Sequence, residues 1–268
     1  MAELDEEYGA FDQAALRQWR VLFALMLRNM RSRFFGNGLG YLIAIGWPTV
    51  HILLLVAIFS GSGRAPPIGE SMVQFIVTGS IAFWTFSYLS RFMMFSVIMT
   101  RPLFGFPEVK VLDVMLSAAI QEILSSCCVV LIFIGLAWLF DVEWMPHDVV
   151  GAFSALGGAI LLGVGFGLLN GVMALGMPFW PTIYALLTIA LWGTSGVLFV
   201  PDALPEPIRT WAAYHPILQS VEWMRSAYYP GFGDEILDRA YVIKWGVGSV
   251  FLGLVIERGI RGHLLALK

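Results

Sequence analysis

The sequence predicts an all-α membrane protein. It has six transmembrane helices, an N-terminal amphipathic interfacial helix, and short re-entrant periplasmic helices between spans five and six. Three observations carry this. Hydrophobic residues form 58% of the 268-residue chain and charged residues 13%, about half the charged share of a typical soluble domain, with a mean hydropathy of +0.77. The apolar residues gather into runs close to the ~20 residues that cross a hydrocarbon core. Lys and Arg gather mainly on one side of those runs, the other side holding Arg64 alone in the loop at 60–71 and a mixed but acid-rich stretch at 200–240.

The first element is 12–33, "DQAALRQWRVLFALMLRNMRSRFF" up to Arg33. Leu16, Trp19, Leu22, Phe23, Met26, Leu27 and Met30 recur at helical spacing, with arginines between them, as in a helix lying in the membrane interface. Gly36, Gly38 and Gly40 then allow the chain to turn. Spans follow at 38–59, 72–98, 111–140, 149–175, 181–199 and 241–256. The segment 200–240 holds short semi-apolar pieces broken by Pro201, Pro205, Pro207, Pro216 and Pro230. Each piece is too short to span, so it reads as helices dipping into one leaflet. Nothing suggests a second globular domain.

Charge orients the spans. Arg17, Arg20, Arg28, Arg31 and Arg33 precede the first, Arg101 and Lys110 lie between the second and third, and Arg258, Arg261 and Lys268 follow the last. The intervening connector "DVEWMPHD" is acidic. Both termini are therefore expected in the cytoplasm. The acidic start "MAELDEEYGAFD" has no basic region and does not read as a secretory signal.

Within the spans, Gly151, Ala155, Ala159, Gly163, Gly167 and Gly171 recur every fourth position. Small residues let helices approach closely, and the stripe's drift around the helix suits a crossing neighbour. Arg91 and Glu122 sit at similar depth in spans two and three. Mutual pairing or a wet cavity is expected of them, either as a structural bridge or as a polar point on a transport path. Asp113 lies nearer the interface and reads as solvated. Phe83, Trp84, Tyr88 and Trp192 fall mid-span, away from the interfacial belt. They serve either the packed core or an aromatic lining on which sugar rings slide.

Catalytic patterns are missing. The four histidines are scattered, adjacent Cys127 and Cys128 sit in an apolar run, and Ser195 lacks a G-x-S-x-G frame. No metal-ligand spacing and no G-x-x-x-x-G-K-[ST] loop occurs. The chain is therefore read as a transport protein that is not itself an enzyme, with no metal site and no catalytic residue, and with no nucleic-acid partner.

Three segments together carry a resemblance: "LRNMRSRFFGNGLGYLIAIGWPTVHIL" at 27–53, "RPLFGFPEVKVLDVMLSAAIQEIL" from 101, and "SGVLFVPDALPEPIRTWAAYHPILQSVEWMRSAYYPGF" at 195–232. They resemble the inner-membrane permease of capsule polysaccharide exporters. That permease belongs to the type-2 ABC exporters, whose sister families move O-antigen or teichoic acid. The resemblance covers nearly the whole chain as a single transmembrane domain over 1–268.

The resemblance implies a bacterial inner-membrane subunit that moves a lipid-linked acidic polysaccharide. It would work as a homodimer with two separate ATP-binding subunits. ATP and Mg would be bound there, with no cofactor held by this chain. A periplasmic adaptor and an outer-membrane export protein would receive the cargo. In "MTRPLFGFPEVK", Arg101, Phe104, Phe106, Glu108 and Lys110 would then couple to the ATPase, the phenylalanines filling a pocket and the charges setting register. Arg28, Arg31 and Arg33 would meet the anionic lipid anchor, besides orienting the chain. Ser195, Pro205, Glu222 and Arg225 fall in the family's order at the periplasmic gate. The rival classes are a small-molecule permease or passive channel working without an ATPase, and a membrane glycosyl-transfer enzyme.

Overall fold

The computed structural model describes residues 10–32, 39–106, 109–142, 144–233 and 236–266. The described residues form helices α1 (Ala10–Ser32), α2 (Leu39–Gly61), α3 (Met72–Thr100), α4 (Val111–Leu139), α5 (Val149–Gly176), α6 (Trp180–Thr194), α7 (Ile208–Ala213), α8 (Pro216–Tyr228) and α9 (Arg239–Ala266). Two 3₁₀ turns, Arg101–Gly105 and Pro201–Ala203, follow α3 and α6. Five helices (α2, α3, α4, α5 and α9) are long and apolar enough to cross a membrane.

The run at 181–199, expected as a full span, behaves differently. α6 ends at Thr194 after 15 residues, which is about 22 Å, short of the ~30 Å hydrocarbon thickness. Ser195 caps it by donating to the Trp192 carbonyl at 2.7 Å, and Gly196 takes φ +79°, a left-handed conformation open to glycine. Sequence 195–199 is therefore a turn.

α3 is the axis of the bundle. It is buried along 78% of its apolar stretch, against 28–33% for the other four long helices. Its Ser, Thr and Gly positions let neighbours close in. α5 runs beside it in the same direction: Gly163 faces Leu89, Gly167 faces Met93, and Gly171 faces Met115 and Val97. The four-residue stripe is thus a packing surface, and its last step already reaches from α3 to α4, as its winding requires. A second face of α5 meets α9, with Gly158 near Val242, Gly165 against Ser249, and Leu168 against Gly253. α3, α5 and α9 accordingly run parallel.

α1 packs on α4. Leu22, Leu25 and Asn29 are buried, while Leu16, Trp19, Phe23 and Leu27 stay exposed. Gln18 donates to Asp113, and Gln121 donates to the Met26 carbonyl at 3.3 Å. Asp113 is therefore buried (3% exposed), not solvated as its place near the interface suggested. It also sits in the first turn of α4, where a carboxylate opposes the positive end of the helix dipole. α8 is likewise a core element: Ile217, Leu218, Val221 and Met224 are buried between α3, α5 and α9. Cys127 and Cys128 are unbridged.

The α3–α5 contact sets the first prediction. A Cβ at Gly167 would lie 2.4 Å from the Met93 sulfur, whereas one at Gly157 meets nothing within 4 Å. Gly167→Leu is expected to destabilise the folded chain by about 1–3 kcal/mol in thermal unfolding, and Gly157→Leu to leave the midpoint unchanged.

Candidate transport site along α3

Two cavities open along one face of α3. The larger, about 440 Å³, lies between α1, α2 and the last three turns of α3. It is lined by Arg28, Asn29, Trp47, Tyr88, Arg91 and Ser96 among others. The smaller, about 20 Å³, lies deeper, between α2, α3 and α4, and is lined by Ile52, Trp84, Thr85, Glu122 and Ser125 among others. Tyr88 and Pro48 border both. On a helix, residues 84, 88, 91/92 and 95/96 share a face, so α3 alone brings the two together.

An aromatic ladder joins them. The His51 ring lies 4.2 Å from Trp84, and Trp84 lies 5.2 Å from Tyr88. Phe83 is not part of it. One residue before Trp84, it is turned about 100° away and is fully buried in the core, edge-on to Trp84 at 5.1 Å. Phe83 therefore packs and cannot line a path. Trp192 is half-buried against two core clusters and is not among the residues lining either cavity.

Arg91 and Glu122 do not form an ion pair among the described residues: Arg91 borders the large cavity and Glu122 the small one. Equal depth along two helices does not fix which way each side chain faces.

Arginines close the helix ends around this face. Arg28 donates to the Thr100 hydroxyl at 3.0 Å and to the Met99 carbonyl at 3.4 Å, at the end of α3. Arg101 donates to the Ala174 and Leu175 carbonyls at 3.1 and 3.0 Å, at the end of α5. Neither helix carries a basic residue in its own last turn, so the cation that favours the negative end of the dipole arrives from elsewhere in the chain. The end of α3 is thereby tied to α1 through Arg28, and the 3₁₀ turn after it to α5 through Arg101. Within that turn Phe104 is half-buried against core residues of α3, α4 and α5, and the next aromatic, Phe106, is 58% exposed. Lys110 is exposed at the start of α4. Glu108 and Arg33 lie outside the described residues, as does the side chain of Arg31.

At the opposite end of α3, Arg225 is fully buried. Its guanidinium donates to the carbonyls of Gly196 (2.7 Å), Val197 (2.9 Å) and Phe199 (3.1 Å), and to Glu222 at 3.2 Å. It lies 4.0 Å over the Phe75 ring. Gly79 leaves room for it, since a Cβ there would be 2.9 Å from the guanidinium. Glu222 and Arg225 thus form one clamp joining α3, α8 and the turn after α6, the turn that Ser195 opens through its own bond to Trp192. Pro205 lies apart, on the exposed segment leading into α7, where Asp202 and Arg209 pair at 3.0 Å. Burial pushes the Glu222 carboxyl up, to about 7, against the pull of Arg225. Burial also lowers His215, whose Nδ1 accepts from the Leu218 amide at 3.0 Å and caps α8.

Three features escaped the sequence reading. Asn170 accepts from the Trp180 indole at 3.0 Å and Tyr184 bonds Ser90 at 2.6 Å, holding α6 to α5 and α3. Glu257 is buried in α9. His51 stacks on Trp84. Intramembrane polar residues are the signal that singles out such positions, and Asn170 and His51 carried it.

The clamp gives the second prediction. Arg225→Met leaves Glu222 buried without its cation, and is expected to cost about 3–5 kcal/mol. Adding Glu222→Leu removes the stranded carboxylate, so the double variant is expected to be more stable than Arg225→Met alone, as measured by thermal unfolding in detergent.

No family model matches the chain. Over 235 residues it is 26% identical to the polysialic acid transport protein KpsM of Escherichia coli, covering 88% of this chain and 91% of that protein. It is 22% identical over 258 residues to the capsule polysaccharide export inner-membrane protein BexB of Haemophilus influenzae, covering 94% and 96%. It is 24% identical over 232 residues to the corresponding protein CtrC of Neisseria meningitidis serogroup B, covering 85% of each. The chain is thus similar, over most of its length, to capsule polysaccharide export inner-membrane proteins.

Proposed function

We propose that the chain is the transmembrane subunit of an ATP-driven exporter that carries lipid-linked capsular polysaccharide across the bacterial inner membrane. The observation that carries this reading is the similarity to polysialic acid and capsule export proteins over most of the length of both partners. A similarity of that extent concerns a whole transport subunit, not a shared segment.

The chemistry of α3 agrees with it. A polyanionic sugar chain entering from the Arg101 end meets Arg28 and Arg91 first, then Tyr88, Trp84 and His51. Aromatic faces hold sugar rings without a fixed set of hydrogen bonds, which suits a chain that must slide. Two copies of the chain form the conduit, and α6 together with the turn that follows it makes the sixth crossing, returning the chain from the end of α5 to the start of α9. Both termini and the 3₁₀ turn after α3 face the cytoplasm, and α1 rests Trp19 and Phe23 in the inner interface. α7 and α8 form a re-entrant element at the periplasmic exit.

Energy comes from two separate ATP-binding subunits docking under that turn. Phe106 protrudes there as the docking side chain, and Phe104 is its anchor in the bundle. Movement of the turn is passed to α3 directly and to α5 through Arg101, so the two central helices rock together. The periplasmic adaptor and outer-membrane export protein take the cargo onward.

Copurification tests this reading. The chain is expected to bring down an ATP-binding subunit, and acidic polysaccharide is expected to stimulate that complex's ATP hydrolysis. Phe106→Ala is expected to lower the stimulation several-fold with thermal stability unchanged, whereas Phe104→Ala lowers stability itself, by about 1–3 kcal/mol. Substrate flux from liposomes holding the chain alone would instead favour a passive channel.

A further inference from the structure

We propose that His215 is a proton-operated latch between α6 and α8: the neutral ring holds the two helices together, and protonation releases the first turn of α8. The proposal rests on the exporter reading only for the compartment that supplies the proton.

Both ring nitrogens are committed. Nδ1 accepts from the Leu218 amide at 3.0 Å, so it carries no proton. The proton therefore sits on Nε2, which lies 3.1 Å from the Thr194 hydroxyl oxygen at the end of α6. Thr194 donates its own hydrogen to the Ala190 carbonyl at 2.9 Å, so its oxygen receives the imidazole N–H. One neutral tautomer satisfies all three bonds. The cap matters because Pro216 opens α8 and brings no N–H, which leaves Ile217 and Leu218 with the free amide donors of that turn. His215 meets one of them. On the other side the contact falls on an exposed turn, since Gly193 and Thr194 face outward. The ring itself is only partly buried, so water can deliver a proton to it.

Protonation leaves Nε2–H donating to Thr194 but turns Nδ1–H toward the Leu218 N–H, two donors at one hydrogen-bond distance. It also puts a cation at the positive end of the α8 dipole. The ring must swing away, and the cap and the link to Thr194 go together. Burial holds His215 below its ordinary 6.5, partly offset by a backbone hydrogen bond. A lowered value means that the neutral ring's contribution is complete above pH 6.5 and is lost as pH falls through the lowered value.

The charges around the ring do not override this. The last turn of α6 carries no titratable side chain. On the α7 side, Arg209 is paired with Asp202, and Glu206 accepts from Thr210 at 2.6 Å. Tyr241 of α9 donates to the Tyr214 carbonyl at 2.8 Å. Along α8, Glu222 lies about two turns on, beside Arg225. Burial raises its carboxyl to about 7, so its protonation on acidification favours the folded state and cannot imitate the loss. The latch lies at the Arg225 end of α3, the periplasmic exit in the exporter reading. Acid on that side would loosen the exit.

The test is amide hydrogen exchange on the full-length chain in nanodiscs, corrected for intrinsic pH dependence, between about pH 8 and about pH 5, the range in which histidine changes charge. The wild-type chain is expected to lose protection about fivefold in the first turn of α8 on acidification, the effect of losing an N-cap, while α5 stays protected. His215→Asn caps without titrating and is expected to stay protected throughout. His215→Ala is expected to be under-protected at every pH. Equal wild-type protection at both ends of the range would overturn the latch, and so would His215→Asn losing as much as the wild type. Exchange does not depend on transport. A working latch in a chain whose deletion leaves surface polysaccharide unchanged therefore keeps the latch and loses the exporter reading.

Discussion

Every backbone carbonyl released where a helix stops inside an apolar bundle must find a donor, and this fold meets that demand with arginine. Water is not there to do it, and an unmet group costs several kcal/mol. Arg225 satisfies three carbonyls of the turn after α6 at once, which no neutral side chain has the donors to do. Arg101 and Arg28 serve the ends of α5 and α3. Remove these contacts and the short α6, the turn after α3 and the placement of α1 lose their reasons.

The same constraint organises function. α3 carries the Arg225 clamp at one end and the turn held by Arg101 at the other, so one buried helix joins the two. α5 is locked to it by glycines whose replacement would collide with Leu89 and Met93. Along the face of α3 turned to α2 runs the row Trp84, Tyr88 and Arg91, Trp84 buried and the other two partly so, bordering the two cavities.

Much of this was legible in the sequence. Length and apolarity alone mark α2, α3, α4, α5 and α9, and the proline-broken stretch gave short helices. The four-residue stripe marked α5 as a packing helix, although its partner is a matter of tertiary structure. The failures share one cause: the deciding group lies far away in sequence. α6 stops at Thr194 within an apolar run because Arg225, about thirty residues on, captures the next carbonyls. Asp113 is buried by Gln18, 95 residues earlier. Arg101 reads as a loop charge until α5 arrives to be capped. Depth along a helix placed Arg91 level with Glu122, but rotation about the axis, which depth does not contain, sent them to different cavities. The same rotation separates Phe83 from Trp84.

The central claim is that this chain carries finished polysaccharide out of the cytoplasm. The most direct measurement is where that polysaccharide lies in cells of the native host that lack the chain, read by immunogold labelling of sections. The account predicts that polysaccharide accumulates inside the inner membrane and returns to the surface when the wild-type chain is restored. Unchanged surface polysaccharide in the deleted cells would contradict it.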